Sequence, residues 1–254
     1  MTGWQKPDWT PRVPDGSRIL VAGASGGIGR ATVEMLSAQG NTVIGAHGRD
    51  AGKLPTGDGI IPLAAELDGD QAARDLIDGF VQQAGGIDGL VVLTGGIDAP
   101  LHWRDMSEDN WRRDIELNLS QQFFLARAAL AAMGDGPGRI VLNGTESAPH
   151  GGGATSLAYG VAKHGVECLV KGLARDAAKH HITVNGIRFG YIDSGFHSRW
   201  QDQTEDGKEQ RIGMIPLGRA GTVEEAAGLI TYLLSDYGAF MTGQMISLAG
   251  GDWL

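Results

Sequence analysis

Three things are scarce in this chain of 254 residues. Cysteine occurs once, at Cys168, so an internal disulfide cannot form and a disulfide-stapled secreted scaffold is excluded. Basic charge is short: 21 Lys and Arg stand against 30 Asp and Glu, the net charge is −9, and no basic run occurs. That argues against a nucleic-acid surface and against docking on anionic membranes. Long apolar runs are missing, and none approaches the roughly 20 residues needed to span a bilayer. The N-terminus also lacks the basic-then-apolar layout of a signal peptide. Residues 1–17, with Trp4, Trp9, Pro7, Pro11 and Pro14, read as an irregular arm on the domain surface. These absences point to a reducing cytoplasm. Cys168 stands among apolar neighbours in an expected helix, so it is expected to be buried rather than reactive.

What is present is glycine, 41 residues of it, dispersed rather than clustered, as many tight strand–helix turns require. Length and a hydrophobic content of 42% suit one large globular domain, here residues 18–254. Residues 18–22 are a short apolar run and read as a buried strand. Gly23-Ala24-Ser25-Gly26-Gly27-Ile28-Gly29 follows, then a helical pattern over 30–39 and a second strand over 41–46. Strand, glycine turn, helix, strand is the first half of a dinucleotide-binding unit, in which helix N-terminal N–H groups face a pyrophosphate.

The alternation continues with strands over 59–67, 89–94, 139–143, 182–189 and 244–248. Helices are expected over 71–83, 107–133, 156–179 and 223–235, the last opened by Thr222 as N-cap. In the 107–133 helix, Trp111, Ile115, Leu119 and Phe123 follow the helical period. The expected fold is α/β: a single Rossmann-type doubly wound parallel sheet of about seven strands, flanked by helices. Residues 193–216 form a polar interruption that reads as a lid-like insertion.

Tyr159 and Lys163 stand four apart in an expected helix and so share one face. A phenol titrates near pH 10, and a positive charge within about 4–6 Å lowers that value, which makes the pair a tunable acid/base couple. In such sheets ligands bind beyond the carboxyl ends of the strands. The glycine turn, Gly95, the residues after Asn143, the start of the Tyr159 helix and Phe189-Gly190 all follow expected strands. A dinucleotide and the Tyr/Lys pair are therefore expected to share a crevice. The histidines, His180-His181 included, lack the spacing of a metal site, and no metal is expected.

Gly23-x-x-x-Gly27-Ile28-Gly29 together with Tyr159-x-x-x-Lys163 resembles the short-chain dehydrogenase/reductase family over residues 18–254. Asn118, Asn185 and the closing Thr242-Gly243-Gln244 with Gly250-Gly251 fit the same pattern. The resemblance implies that Tyr159 exchanges a proton with a carbonyl or alcohol oxygen during hydride transfer. It implies that Lys163 lowers the phenol pKa and bonds the nicotinamide ribose, and that a water near Asn118 relays protons to Lys163. The family's substrate-binding serine falls at Thr145, with Ser147 as the alternative.

Cofactor contacts implied by the resemblance are Gly23, Ser25, Gly27, Ile28 and Gly29 at the phosphates. Glu66 and Leu67, or Asp68, frame the adenine beside Gly95. Ile192 and Ser194 lie near the carboxamide or pyrophosphate. The family's Asn-Asn-Ala-Gly is here Val92-Leu93-Thr94-Gly95. At the end of the second strand a carboxylate would favour NAD. Gly48 stands there, and Arg49 beside it suits a 2′-phosphate, so NADP(H) is the expected cofactor. NAD(H) returns if Asp50 takes the ribose.

Substrate-pocket candidates are Gly96, Trp103, Ser147, His150, Tyr191, Phe196 and Trp200. The expected activity interconverts a ketone and a secondary alcohol, and the substrate is a small carbonyl or alcohol molecule. The alternatives are an NAD-dependent alcohol or sugar dehydrogenase and a non-catalytic dinucleotide sensor. A homotetramer is implied, with no nucleic-acid or membrane partner.

Overall fold

The structure, a computed structural model, describes residues 10–196 and 205–252. The strands are β1 (Arg18–Ala22), β2 (Val43–Gly48), β3 (Ile60–Ala64), β4 (Gly89–Val92), β5 (Gly138–Thr145), β6 (Ile182–Phe189) and β7 (Met245–Leu248). They form one sheet of seven strands in the order β3-β2-β1-β4-β5-β6-β7. Every neighbouring pair runs parallel. The helices are α1 (Gly27–Ser37), α2 (Asp70–Ala84), α3 (Glu108–Ile115), α4 (Gln121–Met133), α5 (Leu157–Ala177), α6 (Glu205–Gly213) and α7 (Val223–Leu234).

The strands read as unbroken apolar runs because both faces of the sheet are covered. In β1, Leu20 and Ala22 pack with residues of α2, α4 and α5, while Ile19 and Val21 pack with residues of α1 and α7. Strand order reverses between β1 and β4, which opens a crevice at the carboxyl edge. Local sequence fixes the helix ends. Thr222 Oγ1 accepts from the Glu225 N–H at 3.2 Å, and Glu225 accepts from the Thr222 N–H at 2.9 Å, a reciprocal cap at the start of α7.

Four expectations need correction. The helix expected over 107–133 is α3, a π turn at Glu116–Ser120 and α4. Its buried face is not the Trp111–Ile115–Leu119–Phe123 stripe but Asp114, Asn118, Gln121, Gln122, Leu125 and Ala129, with Trp111 exposed. Second, β5 runs on through Thr145, because Asn143, Gly144 and Thr145 stay in register with Ile187, Arg188 and Phe189 of β6. Third, the polar insertion holds α6, whose charged sequence hides its helical period. His197 and Trp200 lie outside the described residues, as do Trp4 and Trp9. Fourth, Cys168 is exposed, since α5 buries its opposite side through Val166 and Val170.

Candidate active site

The glycine turn leaves β1 and enters α1 without a side-chain cap and without an acidic residue in the first turn. Its first N–H groups are thus open to an anion. Space is tight. A Cβ at Gly29 would lie 2.2 Å from the Gly23 carbonyl oxygen, and one at Gly27 would lie 2.6 Å from that of Ser194. These residues fit the pyrophosphate of a nicotinamide dinucleotide: bare backbone, uncapped donors and no acidic residue in the first turn.

Gly23, Gly27, Ile28 and Gly29 line a cleft of about 600 Å³ together with Gly95, Thr145, Ser147, Tyr159, Lys163, Tyr191, Ile192, Ser194 and Phe196. Each belongs to the expected site, and they come from the glycine turn, the first turns of α1 and α5, the end of β5 and the segments that follow β4, β5 and β6. Tyr159 and Lys163 share one face of α5, with the Lys163 nitrogen 5.7 Å from the phenol ring centroid. The Phe196 ring stands 6.4 Å from the Tyr159 ring.

Burial governs both groups. It pushes the Tyr159 phenol up to about 12; a hydrogen bond with Thr145 pulls the other way, and the charge of Asp114 adds to the rise. It also pushes the Lys163 ammonium down to about 7. The expected lowering of the phenol by Lys163 is therefore not what this arrangement produces. Each buried group favours its neutral form, and the Lys163 ammonium is aimed at the Asn143 carbonyl, 3.1 Å away. Thr145 lines the cleft with the phenol, its hydroxyl donating to the Phe189 carbonyl at 3.4 Å, and the Ser147 hydroxyl stands 3.3 Å from it.

Asn118 sits in the π turn. Its amide donates to the carbonyls of Gly96 at 2.7 Å and Asp114 at 2.9 Å, and its Oδ1 accepts from the Gly96 N–H at 3.0 Å. The side chain is thus fully engaged in holding the turn after β4. Gly95 fits between Asn118 and Lys163 only because it lacks a Cβ, which would lie 2.8 Å from Asn118 Oδ1 and 3.0 Å from Lys163 Nζ.

The adenine end differs from expectation. Arg49 and Glu66 meet each other at 3.6 Å across exposed surface, and neither lines the cleft. Gly48 carries no carboxylate to bind a ribose, and a Cβ there would lie 2.9 Å from the side-chain ends of Ser25 and Leu54. Asp50 accepts from the Gly52 N–H at 3.0 Å and pairs with Lys53 at 3.4 Å. Its carboxylate is spent on its own turn. Leu67 is buried, with its carbonyl accepting from Gln121 Nε2 at 2.5 Å. Gly96, Trp103 and His150 do not line the cleft. Trp103 is 57% exposed and stacks against Arg104.

Residues not expected at the site include Gln210, Arg211 and Met214, from α6 and the turn after it, and Asp252 beyond β7. Asp252 binds the Arg211 guanidinium at both nitrogens, one contact measuring 3.1 Å, and the guanidinium carbon lies 5.6 Å from the Tyr191 ring centroid. Asp252 follows a predicted strand end, so the carboxyl-edge rule could have found it. Arg211 becomes visible only once α6 is known.

Fold and cleft together define a class. The chain belongs to the short-chain dehydrogenase/reductase family, NAD(P)-dependent enzymes that act on CH–OH and C=O groups. Residues 23–252 match the family model described as Enoyl-(Acyl carrier protein) reductase. The chain is 34% identical over 248 residues to Nodulation protein G of Rhizobium sp. (strain N33), covering 93% of this chain and 96% of that one. It is 31% identical to the 3-oxoacyl-(acyl-carrier-protein) reductase FabG of Escherichia coli (strain K12), covering 94% and 98%. Among solved structures, a short-chain dehydrogenase/reductase from Brucella melitensis superposes with a TM-score of 0.86 at 26% identity, covering 97% of this chain and 100% of that one.

Proposed function

We propose that this enzyme interconverts a ketone and a secondary alcohol with NADP(H), with Tyr159, Thr145 and Lys163 as its working side chains. The convergence of Thr145, Tyr159 and Lys163 on the cleft that also holds the glycine turn carries this reading. The cofactor supplies or takes up the hydride. Tyr159 holds the proton that passes to the nascent alkoxide, and Thr145 orients the same oxygen. Lys163, on the next turn of α5, presents its ammonium to the ribose side of the cleft. Gly23, Ser25, Gly27, Ile28 and Gly29 form the phosphate seat, with Gly95 and Leu67 toward the adenine and Ile192 and Ser194 toward the nicotinamide.

The NADP(H) preference rests on the missing carboxylate at Gly48 and the exposed Arg49. An exposed pair such as Arg49–Glu66 is weak, so Arg49 can leave it for a 2′-phosphate at little cost. Similarity to a 3-oxoacyl-(acyl-carrier-protein) reductase makes 3-oxoacyl thioesters the first substrates to offer. We place the enzyme in the cytoplasm as a homotetramer, built through α3, α4 and α5, where Trp111 and Val161 point outward. Light scattering during gel filtration reads the assembly.

The decisive assay mixes NADPH with 3-oxoacyl thioesters and a ketone panel. Wild-type protein should oxidise NADPH, and Tyr159→Phe should abolish turnover with NADPH affinity within about threefold of wild type. Tight NADPH binding without oxidation of any panel member would favour a sensor instead.

A further inference from the structure

Gln122 is a buried polar residue for which the proposed chemistry has no use. It stands at the start of α4, directly after the π turn, and is fully buried. Its Oε1 accepts from the Asn143 N–H at 2.9 Å. Its Nε2 donates to the Asn118 carbonyl at 2.8 Å and to the Asn143 carbonyl at 2.9 Å. With the amide turned the other way, two carbonyls would face an oxygen and one N–H would face a donor, so this orientation alone satisfies all three. The Asn143 carbonyl also receives the Lys163 ammonium, at 3.1 Å. One carboxamide therefore holds both backbone polar atoms of the residue on which Lys163 rests.

Packing alone does not ask for this. The next inward positions of α4 are Leu125, Ala126 and Ala129, all buried and apolar. Nor do Val92 and Leu93 offer an amide to the sheet beside β5. The polar links between this part of α4 and β5 run through Gln122.

We propose that Gln122 is a positioning residue of the proton-transfer site: its carboxamide fixes the Asn143 carbonyl that anchors Lys163 and ties it to Asn118 across the π turn. This rests on the reading of Lys163 as the partner of Tyr159. Gln122 thereby touches both the carbonyl that anchors Lys163 and the residue to which the family resemblance assigns the relay water.

Few charges complicate the test. Tyr159 faces Lys163 from its own helix, and Asp114 of α3 acts on Tyr159. Among the described residues no carboxylate shifts Lys163 itself. β5 presents it with the Asn143 carbonyl, and the turn after β4 presents the backbone of Gly95 beside the Asn118 amide.

The experiment measures NADPH affinity by cofactor fluorescence from about pH 6 to about pH 9, a range that spans the lowered lysine, and needs no turnover. Lys163→Met defines the part of the pH dependence that belongs to Lys163. Gln122→Leu should move the midpoint of that part down by about half a unit or more, because the ammonium loses its fixed acceptor. Gln122→Glu, kept protonated by burial and by the two carbonyls it faces, still offers one donor and should leave the midpoint closer to wild type than Gln122→Leu does. Gln122→Met, of similar length, replaces either variant that fails to fold. With a working ketone, Gln122→Leu should lower kcat by about ten- to a hundredfold at nearly constant KM.

A merely structural role would not grade the midpoint with the donor left at position 122. Unmoved midpoints in the Gln122 variants, with the Lys163 component lost in Lys163→Met, would overturn the role of Gln122 alone. Retention of that component in Lys163→Met would overturn the reading of Lys163 and this inference with it.

Discussion

Lys163→Met should make the folded protein respond differently to pH, by an amount the structure sets. The Lys163 side chain is 1% exposed, and burial lowers its pKa from 10.5 to about 7. Between those values the unfolded chain binds more protons than the folded one. Wild-type stability therefore rises with pH through this window and lacks the contribution below it. Going from about pH 6 to about pH 9 crosses roughly two units of the window, at about 1.4 kcal/mol per unit, so Lys163 contributes a rise of about 3 kcal/mol.

Methionine carries no such dependence. It also leaves the Asn143 carbonyl one donor short, but that loss is the same at both pH values. All other titrating groups are shared, so they cancel in the comparison. Equilibrium urea unfolding of both proteins at the two pH values gives four free energies. Lys163→Met should hold its largest advantage, or smallest deficit, at the acid end, and the gap should move toward wild type by about 3 kcal/mol at the alkaline end. Parallel pH profiles for the two proteins would show that Lys163 titrates normally in the fold, and would refute the account of a buried, destabilised ammonium.

Other outcomes follow from the same geometry. Thr145→Ala should lower kcat by about a hundredfold, as loss of a positioned donor at a reacting oxygen does, and by more than Ser147→Ala; the reverse order in steady-state kinetics would move the contact to Ser147. Arg49→Ala should weaken NADPH by about ten- to a hundredfold, the worth of a charge-assisted hydrogen bond, with little change for NADH; calorimetric titrations with equal losses would remove the 2′-phosphate contact. Gly95→Ala should cost about 1–3 kcal/mol by thermal unfolding, since position 95 has φ near +146° and the added carbon meets Asn118 and Lys163; an unchanged melting temperature would show that the turn relaxes freely.

The sheet was legible because strands covered on both faces must be apolar throughout, and β1, β4 and β6 are short apolar runs between glycines and polar turns. The phosphate turn was legible because glycine is the residue that lets Gly23, Gly27 and Gly29 approach Ser194, Leu93 and one another. The buried face of the α3–α4 segment was not. Helical periodicity counts apolar residues, yet this face buries Asp114, Asn118, Gln121 and Gln122, whose partners are backbone groups far along the chain. Gln121 reaches Leu67 and Gln122 reaches Asn143, contacts that exist only after the fold forms. A π turn adds a residue to the period and rotates the face as well. The sense of the Tyr159 shift was missed for a related reason. Sequence spacing shows that Lys163 is near, but not that both groups lie in a dry interior where burial outweighs their mutual charge. α6 escaped because its residues are mostly charged and its polar partners, Asp193 and Asp252, lie outside it, the latter 41 residues after Arg211.

That ion pair has a practical side. Asp252 stands just beyond β7, and through Arg211 it steadies the helix that walls the cleft. The outer wall of the cleft is therefore held from the far end of the sheet, while Tyr159 and Lys163 are held by α5. Loss of this one ion pair would read out as weaker binding in a protein whose sheet and proton-transfer groups are intact.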